Sequence, residues 1–254
     1  MAANLDFSNR SALVTGAASG IGAATARWLD AHAIARLVLV DRDSEGLAAL
    51  DLSCEVERVT GDVSDPELWD GFADRPPFDH VVVNAGIPDG FPIAGADFSR
   101  WRRVMAVNLD GAFLTLAATL GAMQRAGGGS VVVTASAAAI KAEPTTAAYA
   151  ASKAALVQLA RVAAKESASS GVRVNAIAPG GVDTPIWDAM DFFTDMTRDT
   201  GSREAAIQAM GRMATPLGRY ARAEEIAGQI GFLLSGMAAT ITGAVLSSDG
   251  GYTL

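Results

Sequence analysis

The sequence predicts an α/β fold: a doubly wound parallel sheet with helices packed on both faces. Short apolar runs rich in valine, leucine and isoleucine alternate with longer helix-length segments from one end of the chain to the other. Those runs lack strict polar–apolar alternation, which marks strands covered on both faces. No low-complexity linker or solenoid repeat interrupts the pattern, and 254 residues suit one α/β domain. Residues 1–254 are therefore expected to form a single domain.

Taken in order, the runs 11–15, 37–40, 81–83, 131–135 and 172–177 read as strands. Helical segments are expected over 21–33, 66–73, 99–125, 147–169 and 223–234, with the Gly127-Gly128-Gly129 triplet as a stop. The uncharged run 226–248 has the length of a membrane span, but it carries Gln229, Ser235, Thr240, Thr242 and several glycines. It is expected to divide into a helix, a turn at Gly236 and a buried strand near 244–246. The stretch 185–217 shows no clear period.

Twenty basic against twenty-eight acidic residues give a formal charge of −8, so the chain has no basic field for a phosphate backbone or an anionic membrane. Neither nucleic acid nor membrane is an expected partner. Cys54, the single cysteine, has no partner for a disulfide, and His32 and His80 share no metal-ligand spacing with it. No metal site is expected. Asp6, Ser8, Asn9 and Arg10 interrupt the start before any apolar run of signal-peptide length, so a cytoplasmic location is expected. The Arg100, Arg102, Arg103 cluster reads as a solvated helix face.

Chemistry enters directly after the first strand, where Thr15-Gly16-Ala17-Ala18-Ser19-Gly20-Ile21-Gly22 opens a helix. Glycines at such a junction let the backbone turn and let a pyrophosphate approach, while the helix N-terminus favours the anion. The second strand ends in Asp41. A carboxylate there can accept bonds from both adenosine ribose hydroxyls and repels a 2′-phosphate, which favours NAD over NADP; the neighbouring Arg42 is the one feature pulling the other way.

Ser136 ends the fifth strand, and Tyr149 and Lys153 follow on the next helix, four residues or about 400° apart and so on one face. A nearby ammonium favours a phenolate and lowers a tyrosine pKa toward the working range, making the phenol a usable acid and base. Tyr149 with Lys153 alone would read as ordinary helix surface.

These features occur in one order with Asp62-Val63 after the third strand, Asn84-Ala85-Gly86 after the fourth, Asn108, and Pro179-Gly180-Gly181-Val182-Asp183-Thr184-Pro185. The combined pattern, spanning nearly the whole chain, resembles the short-chain dehydrogenase/reductase family in its single-domain, Rossmann-type form. The resemblance implies that Tyr149 is the catalytic acid/base, that Ser136 holds the substrate oxygen, and that Lys153 binds the nicotinamide ribose and, with the positive ring, depresses the tyrosine pKa. Asn108 would hold a water linking Lys153 to solvent. It also implies that Gly16, Ser19, Gly20, Ile21 and Gly22 cradle the pyrophosphate, with Asp41 and Arg42 at the ribose. Asp62 and Val63 would flank adenine, Asn84, Ala85 and Gly86 would line the cofactor, and Pro179, Gly180, Val182 and Thr184 would sit at the nicotinamide end.

The implied activity is NAD(H)-dependent interconversion of a secondary alcohol and a ketone. Two alternatives stand beside it: a 3-oxoacyl-carrier-protein reductase, and a non-catalytic NAD-binding sensor. By the same resemblance 185–217 is a substrate lid, and its Ile186, Trp187, Met190, Phe192, Phe193 and Met196, with Ile207, Met210 and Met213, point to a bulky apolar cyclic or aryl substrate. Lys141, Asp89 and Asp188 are candidates for a polar group at its far end. A homotetramer is expected, built on 109–123 and 150–168 and on the C-terminal strand with the helix before it.

Overall fold

The computed structural model describes residues 5–254; residues 1–4 of the expected domain lie outside the described part. Seven parallel strands form one sheet in the order β3-β2-β1-β4-β5-β6-β9. They are β1 (Ser11–Thr15), β2 (Arg36–Asp41), β3 (Glu55–Thr60), β4 (His80–Val83), β5 (Gly129–Thr134), β6 (Val172–Pro179) and β9 (Val245–Ser248). The chain leaves β3 at one edge and re-enters beside β1 as β4, so the strand order reverses between β1 and β4, where a crevice opens at the carboxyl ends.

Alternation along buried strands builds two cores. Ala12, Val14, Leu37 and Leu39 face one layer, which α1 (Gly20–Ala31) and α8 (Ala223–Leu234) cover. Leu13, Val38 and Val40 face the other, covered by α4 (Gly111–Ala126) and α5 (Ala147–Ser167). Period-two side chains buried on both sides explain why the sequence shows continuous apolar runs.

The expected single helix over 99–125 is α3 (Phe98–Met105), a five-residue π segment at Ala106–Asp110, and α4. The N–H of Gly111 reaches back five residues to the carbonyl of Ala106, inserting one extra residue into the turn. Helix α4 stops at Gly127, which takes the left-handed conformation at φ 80°. The helix expected over 66–73 is instead two 3-10 turns, Pro66–Trp69 and Phe72–Asp74, because Gly71 between them sits at φ 80°. A short α2 (Ser44–Ala48), capped by Asp43, was not evident in the sequence.

The run 226–248 divides as expected, into α8, a 3-10 turn at Gly236–Ala238, and β9. Among the described residues, the stretch long and apolar enough to cross a membrane is Phe98–Ala126. Its Ala112, Leu116 and Met123 are buried against the sheet. The patternless region 185–217 holds a 3-10 turn (Pro185–Ala189), α6 (Asp191–Thr200) and α7 (Arg203–Ala214), between the two short paired strands β7 (Val182–Asp183) and β8 (Ala221–Arg222).

Candidate active site

A cavity of about 1000 Å³ opens at the carboxyl ends of the strands. Its floor starts at the glycine turn after β1. The Thr15 hydroxyl accepts the N–H groups of Asn84 (3.0 Å) and Ala85 (3.2 Å), and Asn84 Nδ2 donates back to the carbonyls of Thr15 (3.2 Å) and Gly16 (3.3 Å). Those bonds lock the β1 and β4 turns together. Gly16 takes φ +65°, and a Cβ on Gly22 would stand 2.0 Å from the Gly16 carbonyl oxygen. Gly22 thus serves close packing beneath the turn, while Gly16, Ser19, Gly20 and Ile21 face the cavity.

Helix α1 begins there with no side-chain cap from Ser19 and no acid in its first turn. Its leading N–H groups have no intrahelical acceptor and suit an anion. At the next strand end, Asp41 accepts the N–H groups of Ala18 and Asp43, each at 3.0 Å, one on each carboxylate oxygen. Arg42 and Asp62 line the same end. The Ser64 hydroxyl and N–H hold the Asp62 carboxyl below the usual range, and the Arg42 charge adds to that. Val63 lines the cavity but also fills the space left by Gly111, whose Cβ would meet it at 2.6 Å.

Across the crevice, Ser136 caps the 3-10 turn Ala137–Ala139, its hydroxyl accepting the Ala138 N–H at 3.1 Å. Tyr149 and Lys153 share one face of α5 and line the cavity with it. Lys153 is only 3% exposed; its Nζ donates to the Thr134 carbonyl at 2.9 Å and lies 5.6 Å from the Tyr149 ring centroid. Burial pulls the ammonium down to about 8 and pushes the Tyr149 phenol up, with a Ser136 hydrogen bond opposing the latter. In the protein without cofactor, desolvation of the phenolate is the larger influence on Tyr149.

Asn108 does not reach the cavity. Fully buried in the π segment, it exchanges hydrogen bonds with the Ile87 N–H (2.8 Å) and carbonyl (3.1 Å). It also donates to Ser152 Oγ (3.1 Å), whose hydroxyl donates to the Tyr149 carbonyl (2.7 Å). It braces the loop after β4 against the turn of α5 that carries Tyr149 and Ser152. Gly86 stands next to it, and a Cβ there would be 3.3 Å from Lys153 Nζ. Pro179, Gly180, Val182 and Thr184 all line the cavity.

Residues 185–217 cover the other end. Phe193, Ala206, Ile207 and Met210 form a small core of their own, with Met196 against it, while Ile186, Trp187, Met190, Phe192 and Met213 line the cavity. Trp187 stacks on Tyr220 at 5.5 Å and 13°. Arg203 ties the region down through Asp183 (2.6 Å), Asp188 (2.9 Å) and the Thr184 carbonyl (3.0 Å). Asp188 is thereby held away from the cavity lining. Asp89 lines it, paired with Arg100, whose side chain stays exposed on α3. Sequence reasoning missed Tyr220, Glu143 and Tyr252, which also line the cavity. Glu143 and Tyr252 meet from positions more than a hundred residues apart, and nothing local signals the pair.

Cys54, His32 and His80 do not line the cavity. Burial and the Asp30 carboxylate push the Cys54 thiol up to about 11, which disfavours the thiolate. His32 stacks on Trp28, and His80 Nδ1 meets Ser130 Oγ at 2.8 Å.

Residues 16–253 match the family model described as enoyl-(acyl carrier protein) reductase. A solved short chain dehydrogenase/reductase family protein superposes with a TM-score of 0.84 at 34% identity, over 98% of this chain and 100% of that one. The chain belongs to the short-chain dehydrogenase/reductase family. It is similar to cis-4-hydroxycyclohexanecarboxylate dehydrogenase of Sinomonas cyclohexanicum, 38% identical over 97% of this chain and 98% of that protein. It is also similar to the L-sorbose reductase of Gluconobacter frateurii, solved with NADPH and L-sorbose, with a TM-score of 0.91, 28% identity and 98% of each chain covered. The family binds a nicotinamide cofactor, and its relatives named here are dehydrogenases and reductases, which supports an oxidoreductase.

Proposed function

We propose that the protein interconverts a bulky, largely apolar cyclic secondary alcohol and its ketone with NAD(H), using Tyr149 as acid and base. The observation that carries this reading is the joint placement of Ser136, Tyr149 and Lys153 midway along one cavity, between the glycine turn and the aromatic lid. The cavity's other end fits a dinucleotide. Its glycine turn leaves the first N–H groups of α1 open, and a single carboxylate, Asp41, stands where a ribose diol would lie. The bound nicotinamide would accept or supply the hydride.

The chain's own residues do the rest. Ser136 Oγ, held on its turn by the Ala138 N–H, can hydrogen-bond the substrate oxygen as its charge changes. Tyr149 takes the alcohol proton in oxidation and returns it in reduction, a role worth about 10²- to 10⁴-fold. Lys153 would bind the cofactor ribose and stands close enough to Tyr149 to favour its phenolate. Asn108 acts behind them, bracing the Tyr149 turn through Ser152. Asp41 disfavours a 2′-phosphate by like charge.

The aromatic and methionine side chains of the lid favour a ring over a polyol. The named cyclohexane relative acts on a substrate of that shape. A carrier-protein substrate is less well supported, because the chain is acidic overall and Arg100, beside the cavity-lining Asp89, is already paired with it. A pure sensor would have no use for Ser136 beside Tyr149. Assay of cyclic ketones and polyols with NADH and NADPH, followed at the reduced-nicotinamide absorbance, tests the reading. Turnover of rings with NADH supports it, and a preference for polyols or for NADPH overturns the corresponding half. For assembly we propose a homotetramer, with exposed Phe113 of α4 and Val162 of α5 meeting a second copy.

A further inference from the structure

One wall of the substrate end breaks the apolar pattern of the lid. Lys141, Glu143 and Tyr252 line the cavity there, the first two on the loop after Ser136 and the third on the C-terminal tail. Lys141 Nζ donates to the Tyr252 carbonyl at 2.9 Å and lies 4.1 Å over the Tyr252 ring. Tyr252 Oη donates to Glu143 Oε1 at 2.7 Å, and Lys141 Nζ is 3.9 Å from that same oxygen, an ion-pair contact outside hydrogen-bond range.

The tail that brings Tyr252 here is fastened at both ends. Asp249 accepts the N–H groups of Gly251 (2.9 Å) and Thr253 (3.1 Å), and the Leu217 N–H donates to the Gly250 carbonyl (3.0 Å). The tail therefore holds Tyr252 in place as the anchor of this wall.

An ammonium has three donors, and one is taken by the Tyr252 carbonyl. A carboxylate has about four acceptor positions, and Glu143 uses one for the Tyr252 hydroxyl. The pair thus offers donors and acceptors side by side, with opposite charges that cancel. Such a pole suits a neutral oxygen function, which gains a charge-assisted bond without adding charge. A carboxylate substituent would meet Lys141 but also stand against Glu143.

We propose that Lys141 and Glu143 form a second recognition site, reading a neutral oxygen substituent, a ketone or a hydroxyl, on the ring away from the reacting carbon. The preferred substrates are then cyclic diones, hydroxyketones and diols. This rests on the ring-alcohol reading above and goes beyond it in naming the second functional group and the residues that read it.

The test uses three ketones reduced with NADH by the whole protein: cyclohexanone, cyclohexane-1,4-dione and 4-oxocyclohexanecarboxylate. Each variant is scored by the ratio of kcat/KM for a substituted ring to that for cyclohexanone, which cancels losses common to all three. The wild type is expected to favour the dione over cyclohexanone by about tenfold or more, and over the carboxylate. Lys141→Met should collapse the dione ratio at least severalfold, and Glu143→Gln should raise the carboxylate ratio about tenfold by removing the opposing charge. Unchanged ratios in both variants, with all rings turned over, would overturn the second site and leave the ring-alcohol reading intact. No turnover of any ring would overturn that reading and this inference with it.

Discussion

Lys153 Nζ is bonded to the Thr134 carbonyl at 2.9 Å while standing 5.6 Å from the ring of Tyr149. One backbone oxygen thus fixes the ammonium beneath the phenol, and it does so in a pocket dry enough to pull the lysine down to about 8.

That burial has a thermodynamic signature. The unfolded lysine titrates near 10.5 and the folded one near 8, so between those pH values the unfolded state holds more protons and folding stability rises with pH. Below about pH 8 the full cost of the buried charge is present. Lys153→Met lacks this dependence. Wild-type stability in urea, minus that of Lys153→Met, is expected to climb by a few kcal/mol from pH 8 toward pH 10 in the cofactor-free protein. A flat difference would mean that the ammonium is not buried.

Cofactor choice should turn on Asp41. Asp41→Ser removes the carboxylate that now accepts the Ala18 N–H and leaves Arg42 free to meet a phosphate. The kcat/KM ratio of NADH to NADPH is expected to fall about tenfold or more. A wild type that already prefers NADPH would refute the role given to this residue.

Gly181 is a packing constraint on the lid. A Cβ there would lie 2.2 Å from the Tyr220 ring, which stacks in turn on Trp187. Gly181→Ala should lower stability by about 1–3 kcal/mol and raise KM for ring substrates as the stack shifts. Thermal unfolding and steady-state kinetics check the two effects, and an unperturbed KM would separate the stack from substrate binding.

Assembly is checked most simply by sedimentation. A tetramer at micromolar concentration is expected, with Phe113→Glu on α4 dissociating it. A stable wild-type monomer would reject the proposed interface.

Much of this was legible in the sequence, for physical reasons that differ by residue. The strands covered on both faces announce themselves as apolar runs, and the glycine turn, Asp41 and the Ser136, Tyr149, Lys153 set stand at fixed distances from them. The third strand lacks an apolar run because Glu55–Thr60 is an edge strand, with Glu55, Glu57 and Arg58 on a half-exposed ribbon. Asn108 was recognised, but its withdrawal behind the wall depends on a π turn that no local pattern marks. The Lys141, Glu143 and Tyr252 wall joins two distant segments, so only the folded chain shows it. The lid sequence gave its apolar character, but only packing shows that Phe193 and Ile207 serve its own core while Trp187 and Phe192 face the cavity.

The most direct measurement is the turnover of Tyr149→Phe alongside its NADH affinity by fluorescence titration. The ring still packs on α5 while its proton is gone. The account predicts NADH binding within a few-fold of wild type and a kcat for ring ketones lowered by about 10³-fold or more. A variant that binds NADH and keeps a substantial part of wild-type kcat would contradict it, since the proton would then come from elsewhere.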